Sequence, residues 1–163
     1  MEDRRILFLD LDGVLASIDF LCDLEKRKKY PEGEGFIDPE KVALLNQLSD
    51  LGVEVVISSS WGTTADEPLI ACGLKLPIVG HTSHFHSDDK YEYVCRGNEI
   101  ERWLLMNLGM STKWGPQNFD ITKYAIVDDD DDMLYGQRFN FLKINRDTGI
   151  TQEDIDKLKD ILK

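Results

Sequence analysis

Apolar residues along the chain fall into two patterns, short unbroken runs and stripes at helical spacing. Ile6-Leu7-Phe8-Leu9 is a run that ends in Asp10, and Val53 to Ile57 is a second that ends in three serines. Pro77-Ile78-Val79, Tyr124 to Val127 and Phe141 to Ile144 are three more. Runs of this length predict strands buried on both faces, as in a parallel sheet. Between them, Asp38-Pro39 supplies an N-cap and a first-turn proline. The stripe Val42, Leu44, Leu45, Leu48, Leu51 follows, and Gly52 stops it. A short helix is predicted over Asp66 to Cys72. A longer one spans Asn98 to Leu108, with Ile100, Trp103, Leu104 and Leu108 on one side. Thr151, with Asp154 three residues on, opens the last helix as an acidic variant of the capping box, and Ile155, Leu158 and Leu162 form its buried stripe. Residues 13 to 36 have no clear period, and 16–36 read as a flap or insertion. Residues 80–95, polar and aromatic, read as a loop on the substrate side.

Strands alternating with helices predict an α/β fold: a Rossmann-like, doubly wound, mainly parallel sheet of about five strands flanked by helices. No repeat or linker divides the 163 residues, so 1–163 reads as a single domain. In such sheets ligands bind beyond the carboxyl ends of the strands. Asp10, Ser58-Ser59-Ser60 and Asp128 each end a predicted strand, so three segments bring polar groups to one edge.

Composition narrows the partners. Apolar residues make up 42% and charged residues 31%, a globular balance. A net charge of −12 leaves no broad basic footprint and argues against non-specific duplex binding. The one dense basic strip, Lys26-Arg27-Lys28-Lys29 beside Tyr30, is either a solvated face or a set of contacts to substrate phosphate. Cys22, Cys72 and Cys95 show no CxxC spacing, which suggests neither a disulfide framework nor a zinc cluster and points to a reducing compartment. No apolar run approaches the ~18 residues of a membrane span, and the start of the chain does not resemble a signal peptide. A cytoplasmic protein without membrane contact is expected. His81, His84 and His86 read as a polar loop near the site entrance, with zinc as the lesser alternative.

Four features carry chemistry. Asp10 and Asp12, two apart on an extended segment, can face the same side, and Gly13 permits a tight turn against a ligand. A turn or capping pair is the competing reading. Asp128 to Asp132 is pinned between Ala125-Ile126-Val127 and Met133-Leu134. Neighbouring charges ~6 Å apart repel by roughly 3 kcal/mol at an effective dielectric of 20, so a bound cation suits the run better than a solvated tail does. Mg²⁺, with oxygen ligands, fits Asp10, Asp12, Asp128 and Asp129. Ser58-Ser59-Ser60 offers hydroxyls and N–H groups to phosphate oxygens. Arg96, just before the helix predicted from Asn98, would neutralise a phosphoryl group, or is an ordinary surface arginine.

The four parts in this order resemble the haloacid dehalogenase (HAD)-like phosphohydrolase superfamily. The resemblance rests on Leu9-Asp10-Leu11-Asp12-Gly13-Val14, the serine after the second strand, Arg96 and the Asp128-Asp129 pair. Ile57-Ser58-Ser59-Ser60-Trp61, Arg96-Gly97-Asn98-Glu99-Ile100 and Tyr124 to Asp129 further resemble a compact subgroup that includes the HAD domain of Swiss-army-knife RNA-repair proteins and of phage proteins. The chain departs in having Gly62 where the subgroup commonly has a basic residue, an arginine where the superfamily usually has lysine, and a longer acidic run.

The resemblance implies a Mg²⁺-dependent phosphomonoester hydrolase. Asp10 would be the nucleophile that forms an aspartyl-phosphate, and Asp12 the general acid and base. The Asp10 carboxylate, the Asp12 carbonyl and Asp128 would hold the metal. Ser59, with Ser60 the neighbouring alternative, would bind phosphate together with Gly13 and Arg96. The substrate would be a nucleotide or other phosphorylated metabolite. The alternatives are a polynucleotide phosphatase acting on a single-stranded nucleic-acid end, or a non-catalytic metal- and phosphate-binding protein on the same fold. Neither insertion is long enough for a folded cap domain, so an open site is expected. Phe20, Tyr30 and the basic strip would rim one side, and Phe85 and Tyr91 the other.

Overall fold

The unbroken run after Arg4 forms the central strand of the sheet. In the computed structural model, which describes residues 4–28, 36–83, 94–109 and 122–163, β1 (Arg4–Leu9) pairs in parallel with β2 (Val53–Ile57) on one side and β4 (Thr122–Asp128) on the other. β3 (Ile78–His81) extends the sheet beyond β2, and β5 (Phe141–Lys143) beyond β4. The order is β3-β2-β1-β4-β5, all parallel. The chain reverses its direction of winding between β1 and β4, the crevice where such sheets bind ligands.

Helices cover both faces. α3 (Pro39–Leu45), α4 (Asp66–Ala71) and α6 (Gln152–Leu162) accompany the larger apolar cluster, which holds Leu7, Leu9, Val55, Ile57, Ala125 and Val127. α5 (Arg96–Leu108) lies on the opposite face, where Ile100, Trp103 and Leu104 pack with Ile6, Phe8, Val56, Tyr124 and Ile126. The alternation of β1 thus splits its own apolar run between two cores. Phe8 stands edge-on to Trp103 at 5.4 Å and to Tyr124 at 6.1 Å, contacts worth about 0.5–1.5 kcal/mol each beyond area.

The caps read from sequence form: Asp38 accepts from Glu40 N, and Thr151 and Asp154 make the reciprocal box. Several boundaries differ. The helix expected through Leu51 tightens into a 3₁₀ helix over Asn46–Leu51 before Gly52 turns left-handed at φ 67°. β3 runs to His81, so the substrate-side loop starts later than position 80. α5 begins at Arg96 rather than near Asn98. The excursion after Gly13 contains two short helices, α1 (Ile18–Cys22) and α2 (Leu24–Arg27). Phe20, expected to face substrate, is instead 3% exposed in the core. Lys29, Tyr30, His84, Phe85, His86 and Tyr91 lie outside the described residues. Among the described residues no helix is long and apolar enough to cross a membrane.

Candidate active site

Asp10 directly follows β1, and its N–H donates to Val127 O on β4 at 3.1 Å. On the other side Ser58 N donates to Leu9 O at 2.8 Å. The ladder therefore holds the ends of β1, β2 and β4 side by side. Asp10 and Asp128 are buried there, and Asp129 joins them: one carboxylate oxygen from each lies within 4.8 Å of the others. Burial first and the Asp128 charge second push Asp10 up from its ordinary 3.8 to about 8; Arg96, Leu11 N–H and the Ser59 hydroxyl pull against them. Asp128 is pushed up to about 7, again by burial first, opposed by the Asp130 N–H and Arg96 and reinforced by the Asp129 and Asp132 charges.

Two arginines frame these acids. Arg96 Nε lies 3.7 Å from Asp128 Oδ2, and its Nη1 donates to the buried Glu99 at 3.1 Å. Arg146 donates to Asp129 Oδ2 at 2.6 and 2.9 Å. The donor set, hard carboxylate oxygens with burial opposing the ionisation of Asp10 and Asp128, suits a small divalent cation.

The other expected residues divide. Ser59 is buried and its hydroxyl hydrogen-bonds the Asp10 carboxylate. Ser60 is exposed. Ser58 Oγ is buried with no hydrogen-bond partner among the described residues. The Asp12 carboxylate lies outside the acidic trio: it is exposed, and its Oδ2 accepts from Trp61 Nε1 at 3.1 Å. Gly13 has φ 75°, and a Cβ there would lie 2.6 Å from Asp129 Cγ, so the loop can pass the acidic pair only without a side chain. Asp132 stands apart from the trio and caps α5: its Oδ2 accepts Arg96 N at 2.9 Å and its carbonyl accepts Gly97 N at 3.2 Å. His81 bonds Asp66 at 2.7 Å, which gives it a structural partner.

Three residues escaped the sequence reading. Arg146 follows β5 and has no motif of its own. Gln137, fully buried, donates to Gly97 O at 2.9 Å and accepts Leu134 N at 3.0 Å, so it ties the α5 start to the segment after β4. Trp61 stood beside the serines; the signal was that an indole N–H usually requires a partner.

Comparison with known proteins agrees with this geometry. Residues 6–155 match the family described as the HAD domain in Swiss Army Knife RNA repair proteins. No curated protein and no solved structure gives a significant match.

Proposed function

The chain belongs to the family of HAD domains in Swiss Army Knife RNA repair proteins, and from that membership we propose that it hydrolyses phosphomonoesters with Mg²⁺ through an aspartyl-phosphate on Asp10. The observation that carries this reading is the convergence of Asp10, Asp128 and Asp129 at the switch point of the sheet, with Ser59 and Arg96 beside them.

In the first step an Asp10 oxygen attacks phosphorus and the bond to the leaving oxygen breaks. Asp12 gives that oxygen its proton. In the second step water attacks the same phosphorus while Asp12 takes a proton from it. The bond to Asp10 breaks and inorganic phosphate leaves. Ser59 and Arg96 hold the phosphoryl oxygens, and Arg96 offsets their charge. Mg²⁺, held by Asp10, Asp128, Asp129 and the Asp12 carbonyl, would keep the buried carboxylates ionised and neutralise phosphoryl charge.

The substrate proposed first is a nucleotide or another phosphorylated metabolite. A phosphorylated RNA end is the second reading, favoured by the family's description and by the exposed Lys26 and Lys28. Phosphate release would be measured with Mg²⁺ over nucleotides, sugar phosphates and 3′- or 5′-phosphorylated oligonucleotides. The expected result is release that needs Mg²⁺ and disappears in Asp10→Asn. Mg²⁺ binding without release from any substrate would leave the non-catalytic alternative.

A further inference from the structure

The two buried carboxylates are fixed by packing, whereas Asp12 is exposed. Its backbone is set by a tight loop, in which Gly13 N donates to Ala16 O at 3.0 Å and Asp12 bridges Ala16. That loop leaves the side-chain torsions free, and an exposed carboxylate would sample several rotamers. The described contact that restrains it is the 3.1 Å bond from Trp61 Nε1 to Oδ2. The indole is itself well anchored. Its ring packs on the larger apolar core, the Trp61 backbone N–H donates to Ser59 Oγ (3.5 Å), and the Trp61 backbone carbonyl accepts from Thr64 Oγ1 (2.6 Å).

Resting on the phosphohydrolase reading above, we propose that Trp61 is a positioning residue for proton transfer, its indole N–H fixing Asp12 so that Oδ1 faces the reaction. The choice of residue matters chemically. An indole N–H only donates and never takes a proton. It can bond Oδ2 whether Asp12 is a carboxylate or a carboxylic acid, so the same contact survives both half-reactions. A hydroxyl or imidazole there would compete for the proton being moved. With Oδ2 held, the proton comes and goes at Oδ1.

The test compares leaving groups. kcat/KM reports only the steps up to departure of the leaving group, and so isolates Asp12 as an acid. An alkyl phosphate needs that proton; p-nitrophenyl phosphate, whose phenolate leaves unaided, does not. Trp61→Phe should lower kcat/KM about tenfold on the alkyl phosphate, a part of the ~10²–10⁴ that general acid catalysis supplies, and less than about twofold on p-nitrophenyl phosphate. Trp61→3-benzothienylalanine keeps the ring on the core and removes only the N–H. It should reproduce the split, and it decides the matter if the phenylalanine variant does not fold. An equal fall on both substrates, or no fall on either, overturns the positioning role. A wild-type protein inactive on every phosphomonoester would overturn the phosphohydrolase reading instead, and this inference with it.

Discussion

Without a cation, the protein should lose stability as pH rises from about 4 to 8. Asp10 has an ordinary value of 3.8 and a folded value of about 8. Across that window the unfolded chain has released a proton that the folded chain keeps. The folded state binds more protons, and its stability falls with pH. At about 1.4 kcal/mol per tenfold, the Asp10 displacement corresponds to at most roughly 4–6 kcal/mol. The Asp128 displacement to about 7 is not added to it, because the Asp128 charge is already a cause of the first. A domain of this size unfolds with about 5–15 kcal/mol, so the loss is a large share. The three pH units from 5 to 8 span about 4 kcal/mol of this loss, so at roughly 2–4 °C per kcal/mol the melting temperature in EDTA should drop by about 7–15 °C between pH 5 and pH 8. Mg²⁺ held as proposed would oppose the drop by binding only the folded, ionised site, so its stabilising effect should be small at pH 5 and grow towards pH 8. Differential scanning calorimetry with EDTA and with millimolar Mg²⁺ reads both curves. A metal-free melting temperature that stays flat or rises over this range would refute the argument.

Asp12→Asn should lose ~10²–10⁴-fold in turnover yet accumulate phosphorylated Asp10 from p-nitrophenyl phosphate, detectable by acid-quenched mass spectrometry; no trapped adduct would remove Asp12 from the water-activating step. Gly13→Ala meets both a positive φ and the Asp129 side chain. It should cost about 1–3 kcal/mol in urea unfolding and weaken Mg²⁺ binding in calorimetry, whereas a neutral change would mean that the turn does not constrain Asp129.

The sheet was legible because its strands are unbroken apolar runs, and because the helices between them have side-chain caps at Asp38 and Thr151. The acidic groups were legible because each follows such a run directly. The 3₁₀ turn after Asn46 was not, since Leu48 and Leu51 fit an α stripe equally well and tertiary packing decided. Phe20 was misplaced because a segment without period gives no inside or outside. The contacts that organise the site join residues distant in sequence: Trp61 with Asp12, Gln137 with Gly97, Arg146 with Asp129. No local spacing encodes them. The sequence left the roles of Asp130 to Asp132 open because five identical residues hide a change of role, and only the structure separates the acids beside Asp10 from the one that caps α5.

The position of β1 also bears on how the protein is made. The proposed nucleophile is Asp10, yet its N–H is held by Val127 on β4, and β1 is bordered on both sides by strands that come later in the chain. A nascent chain without residues 122–128 has Ile6 to Leu9 with one edge of the strand open and half its core uncovered, a state prone to wrong pairing. Such long-range parallel pairing folds slowly, because the loop between the strands must close before any contact offsets its entropy. Asp10 is therefore synthesised well before the strand that holds it, and its site is among the last parts of the fold to exist.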